Sequence, residues 1–148
     1  MLSATEVRER TRINAHKALY TNITHLANLG YFSRSSFLTN EHKNELEQLG
    51  YTVDGSGASG PNDFNISWEN PTNQNNSDMS AAKMYAKAYD VAYASLVNKI
   101  NDATKHGNYV LNNVSLSTNK LRDQLELHGY SVSQSRVVSG SCVDISWA

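Results

Sequence analysis

Five histidines, one cysteine and fourteen acidic residues are the side chains that could hold a metal or move a proton. A helical metal site needs its ligands three or four residues apart, on one face. His16, His25, His42, His106 and His128 provide neither a His-x-x-x-His nor a Glu-x-x-His pairing. His106 and His128 directly precede Gly107 and Gly129, where a cation is favoured by the negative end of a helix dipole. Cys142 stands alone, which excludes an intrachain disulfide and a cysteine cluster. It reads as a small half-buried strand residue and not as a thiol nucleophile. The glycine-rich residues 55–61 invite comparison with a phosphate-binding loop. They lack the Gly-Lys-Ser/Thr ending and lead into no helix whose amides could hold an anion, so a hairpin turn is expected. No nucleophile elbow, zinc signature or dinucleotide fingerprint occurs. The expectation is a protein that is not an enzyme, with no catalytic, cofactor or metal site.

Two groups of residues suit contact instead. Arg8, Arg10, Arg12 and Lys17, with His16, line the first part of the chain with positive charge. Such a row could meet an acidic surface or a phosphate backbone, although a solvated helix face is the plainer reading. Tyr85, Tyr89 and Tyr93 recur every four residues, which makes an aromatic stripe if they lie on a helix. Tyrosine combines contact area with a polar tip, as interfaces favour.

The elements that would position these residues occur twice. Residues 46–53, Leu-Glu-Gln-Leu-Gly-Tyr-Thr-Val, match residues 125–132, Leu-Glu-Leu-His-Gly-Tyr-Ser-Val, and Ile66-Ser67-Trp68 matches Ile145-Ser146-Trp147. Nearer the start, Ser3-Ala4, Ala15, Leu19, Ile23 and Gly30 match Ser80-Ala81, Ala92, Leu96, Ile100 and Gly107. The second set is offset two residues less than the first, which two extra residues near Asn112-Asn113 would reconcile. Two copies are too few for a solenoid.

Each copy opens with a long amphipathic helix. Ser3 and Glu6 form a capping box, and Ala4, Val7, Thr11, Ala15, Ala18, Leu19, Ile23 and Leu26 share one face. In the second copy Ala81, Met84, Ala88, Val91, Ala92, Leu96, Ile100 and Ala103 do so, while Lys83 stands where the box needs an acid. Short β-prone stretches at 31–38 and 109–115 follow. Second helices are expected at 40–49 and 119–128, capped by Thr39 or Asn40 and by Thr118 or Asn119. Hairpins close each copy, pairing 51–54 with 64–68 and 130–133 with 143–147. The predicted fold is therefore α+β: a tandem duplication, each copy a long helix, strand, short helix and β-hairpin, forming a pseudo-dimer. The copies are residues 1–68 and 79–148, joined by a polar linker at 69–78 that has no apolar residue. A lone copy has a marginal core, and docking two would cover exposed sheet edges.

A net charge of −1 suits a soluble protein and disfavours nucleic acid as the main partner. No apolar run approaches the roughly 18 residues of a membrane span, and the first residues lack the pattern of a signal peptide. The protein is expected to stay in the compartment where it is made.

The opening Ser-Ala helix, the second helix ending in Leu-x-x-x-Gly-Tyr-x-Val and the closing Ile-Ser-Trp resemble a group of small proteins of tailed bacteriophages, some of them virion-associated. The resemblance covers both copies. It implies a structural or interaction protein, a capsid decoration or other particle component made in the host cytoplasm. Its partners would be other phage structural proteins, with copies of itself as a second kind, and no membrane. The alternative is a soluble phage protein that binds and inhibits a host or defence factor. The motif consists of packing and turn residues, so it transfers no site residue.

Overall fold

The computed structural model describes residues 1–55, 60–135 and 142–148. Residues 56–59 of the expected glycine-rich turn lie outside them. The described elements run α1 (Ala4–Asn28), β1 (Ser33–Phe37), α2 (Asn40–Gln48), β2 (Thr52–Asp54), β3 (Asp63–Ser67), α3 (Ala81–Lys105), β4 (Val110–Ser115), α4 (Asn119–Leu127), β5 (Ser131–Gln134) and β6 (Cys142–Ser146). The fold is α+β, with two three-stranded antiparallel sheets ordered β1-β3-β2 and β4-β6-β5. The chain forms two compact units, Met1–Ala88 and Tyr89–Ala148, and α3 runs through the boundary between them.

Local chemistry sets the helix ends. The Ser3 hydroxyl accepts from the Glu6 amide, and the Glu6 carboxylate accepts from the Ser3 amide, closing the capping box. Thr39 and Thr118 cap α2 and α4 through their side chains. Ser80 also receives the Lys83 amide, at 3.3 Å, so α3 keeps a side-chain cap although the reciprocal half of the box is lost. At the other ends, His106 and His128 lie with Nδ1 2.8 Å from the carbonyls of Asp102 and Gln124. A proton on Nδ1 gives each carbonyl a second donor beside the backbone amide of the same histidine.

In the first unit the core gathers Leu19, Ile23, Phe32, Leu46, Tyr51, Ile66, Trp68 and Met84. In the second, Leu96, Ile100, Val114, Leu125, Val143 and Ile145 are buried, with Tyr130 and Trp147 packed against them half-buried. Residues 69–78 contain no helix or strand, but they are tied down. The Thr72 amide donates to Gly50 O, and Asn73 donates through its side-chain amide to Gln48 O. These bonds occupy carbonyls at the end of α2.

The first half of α1 departs from the expected apolar face. Leu19 and Ile23 are buried, but every residue from 1 to 15 is exposed, Val7 at 49%. Periodicity tells which residues share a face and not whether anything lies beneath it. A helix of 25 residues spans about 37 Å, whereas strands of five residues span about 17 Å. The sheet it packs on is too short to cover the helix.

Candidate interaction surfaces

The basic row on α1 does not form one patch. Arg8 and Arg12, one turn apart, line a cleft with Thr39 and His42 of the second helix region, and Arg10 lies outside that cleft. A helix advances by 3.6 residues per turn, which turns residue 10 away from residues 8 and 12. Arg12 holds Glu9 through two hydrogen bonds of 2.9 and 3.1 Å. The pairing keeps the Glu9 carboxyl below its usual range and raises the guanidinium. Arg12 also lies 3.8 Å from Glu45, so part of its charge is already balanced. Lys17 borders a different cleft, with His16, Tyr20 and Met79.

Between α1 and α2 sits a polar cluster that spacing did not reveal. His16 Nδ1 is 2.9 Å from Glu45 Oε2, an ion pair by distance when the imidazole is protonated, though its angles are not those of a hydrogen bond. The His16 ring lies 4.6 Å from Tyr20 and 6.1 Å from His42. Tyr20 Oη and His42 Nε2 are buried without a hydrogen-bond partner among the described residues. Burial first, and Glu45 second, push the Tyr20 phenol up to about 12. Such a group stays protonated at neutral pH and is a poor proton carrier. These four residues lie on two helices whose mutual register no local pattern encodes. Among the described residues no group of three His, Cys, Asp or Glu side chains could hold a metal ion. Cys142 is a half-buried residue of β6.

The tyrosine stripe is divided as well. Tyr85 belongs to the first unit, its ring 5.5 Å from Phe32. Tyr89 and Tyr93 belong to the second and stack at 6.2 Å with an 18° interplanar angle. Burial, then Tyr93 and Asp90, raises the Tyr89 phenol. Tyr93 reaches a cleft of about 250 Å³ with Leu96, Ile100, Leu121, Leu125 and Tyr130. This cleft is mainly apolar, and its residues come from α3, α4 and the connection between α4 and β5. No helix among the described residues is long and apolar enough to cross a membrane.

No known protein family, curated protein or solved structure matches this chain.

Proposed function

We propose that the chain is a tandem duplication of one α+β module and works without catalysis, through its surface, as a component of a bacteriophage particle. The duplication is supported by register as well as by letters. Arg34 pairs with Ile66 and Val53 with Ile66; Leu111 pairs with Ile145 and Val132 with Ile145. The offset between the copies also finds a structural reason. It is 77 from Arg34 to Leu111, 78 from Ser36 to Val114 and 79 from Thr39 to Thr118. The first step is a β-bulge between Leu111 and Val114, where Asn113 takes a φ of 57° and its amide donates to Asp144 Oδ1. Only one of the two extra residues sits at Asn112-Asn113; the other precedes Thr118.

One observation carries the surface reading. Large apolar side chains that neither core uses stand exposed, namely Val7 and Ile13 on α1 and Tyr109, Val110 and Leu127 in the second unit. Scattered single residues of this kind are ordinary, but Val7 and Ile13 stand on a helix half that buries nothing, and Tyr109 and Val110 are adjacent. A particle component has use for such a surface, because a lattice presents the same partner many times. The resemblance to small phage proteins supplies the setting: particle subunits as partners, and the virion as the location.

Mass spectrometry of purified particles tests this reading. Many copies per particle are expected. A chain missing from particles that captures a single host or defence factor would favour the soluble inhibitor instead.

A further inference from the structure

In the first unit three aromatic residues are covered by the segment that follows β3. Phe32, Tyr51 and Trp68 are all buried, the last two at 1% and 0% exposure. Tyr51 Oη donates to Met79 O at 2.7 Å, the Ala81 amide donates to Leu49 O at 2.9 Å, and the Tyr85 ring meets Phe32. Ala81, Met84 and Ala88, on the first two turns of α3, are fully buried.

The second unit builds the same seat from Tyr109, Tyr130 and Trp147. The Trp147 amide donates to Tyr109 O at 3.1 Å, as Trp68 donates to Phe32 O at 2.9 Å. Tyr130 meets Trp147 edge-on at 6.2 Å, as Tyr51 meets Trp68 at 6.3 Å. Yet Tyr109 is 66% exposed, and Tyr130 and Trp147 are only half-buried. A side chain added at Gly50 would strike Asn73, whereas one added at Gly129 meets nothing within 4 Å. Among the described residues, a seat built twice is covered once.

The segment that matches the cover is the start of α1. Ser3 caps α1 and Ser80 caps α3 through the same bond, from the amide three residues on, at 3.2 and 3.3 Å. Counted from these caps, Ala81, Met84, Tyr85 and Ala88 correspond to Ala4, Val7, Arg8 and Thr11. Those four are exposed. They repeat the small-large-small face, with Arg8 in the place of Tyr85. An arginine there would lie over the exposed ring of Tyr109, a pairing that aromatic faces favour. The start of α1 and Tyr109 are each exposed, so the helix of one copy is open to the seat of another.

We propose that this protein assembles head to tail, the first two turns of α1 of one copy seating on the Tyr109–Tyr130–Trp147 face of the next. The inference rests on the duplication proposed above and not on the particle assignment. The interface is heterologous: every bound copy still offers one helix and one seat, so growth runs on to a ring or a filament.

Sedimentation of the full chain over a concentration series tests it, together with Val7→Asp and Tyr109→Asp. Both positions are exposed, so both variants are expected to fold. The wild-type mass is expected to rise with concentration, and each variant alone to remain monomeric. An equimolar mixture should form a 1:1 dimer, since Val7→Asp keeps its seat and Tyr109→Asp keeps its helix. A wild type that is monomeric at every concentration overturns the proposal, and so does a mixture that stays monomeric. Presence in particles is a separate readout: a monomeric chain found in virions sinks the assembly alone, and an assembling chain missing from virions sinks the particle reading alone.

Discussion

Tyr51 Oη and the carbonyl of Met79 lie 2.7 Å apart across 28 residues of sequence, and this bond joins the start of β2 to the approach of α3. Tyr130, which matches it in the proposed duplication, has no such cover among the described residues and borders an open cleft.

Removing the Tyr51 hydroxyl leaves a carbonyl at Met79 without its donor. Tyr51→Phe should lower stability by about 1 kcal/mol, and Tyr130→Phe by less than about 0.5 kcal/mol. Urea unfolding of the two variants checks the difference, and equal losses would contradict it.

Alkaline pH should destabilise the first unit. Burial raises the phenol of Tyr20 to about 12 and also raises that of Tyr51, while an unfolded tyrosine ionises near pH ~10. Above that pH the unfolded chain binds fewer protons than the folded one, so stability falls as pH rises. It is fully present below pH ~10 and for Tyr20 is lost progressively up to about 12. Denaturant midpoints at two pH values on either side of the lower limit measure this, and Tyr20→Phe should flatten the dependence.

Residues at the same distance from the Ser3 and Ser80 caps should differ sharply. Met84 is fully buried and Val7 half-exposed. Met84→Ala should cost about 2–5 kcal/mol, and Val7→Ala at dilute concentration less than about 0.5 kcal/mol. Comparable thermal shifts in the two variants would mean that the start of α1 packs on something within its own chain.

Gly50 and Gly129 have φ of 92° and 87°, a region that costs a side chain roughly 1–2 kcal/mol. Gly50→Ala also brings a Cβ to 3.0 Å from Asn73 Oδ1. It should therefore lose more stability than Gly129→Ala, and Asn73→Ala in the Gly50→Ala background should recover part of the difference. A double mutant no better than the sum of the single losses would contradict the contact.

The polar run 69–78 invites free replacement, since its letters carry no apolar residue. Asn73 is an exception, because its side chain donates to Gln48 O and accepts the Asn75 amide, and Asn75 and Ser77 in turn accept the Ser77 and Met79 amides. Asn73→Gly should cost about 1 kcal/mol and Asn76→Gly less than about 0.5 kcal/mol, as read from unfolding midpoints.

What could be read from the letters was local. The Ser3–Glu6 box, the threonine caps, the glycine stops and the alternation of the strands act within a few residues, and each element formed close to its expected limits. The match of residues 46–53 with 125–132 was also legible, and the duplication proposed from it would leave such matched packing and turn letters. Burial was not. Val7 and Met84 stand the same distance from their caps, Ser3 and Ser80, and the bond from Ala81 to Leu49 and the ring of Tyr85 on Phe32 draw only one of them into a core. The His16–Tyr20–His42–Glu45 cluster was hidden for the same reason: the meeting of two helices is set by the sheet beneath them. A side chain's chemistry and spacing are written in its own segment, whereas its exposure is a property of whatever distant segment folds over it. That is why the tertiary structure alone separates Trp68, sealed in its core, from Trp147 at the edge of an open face.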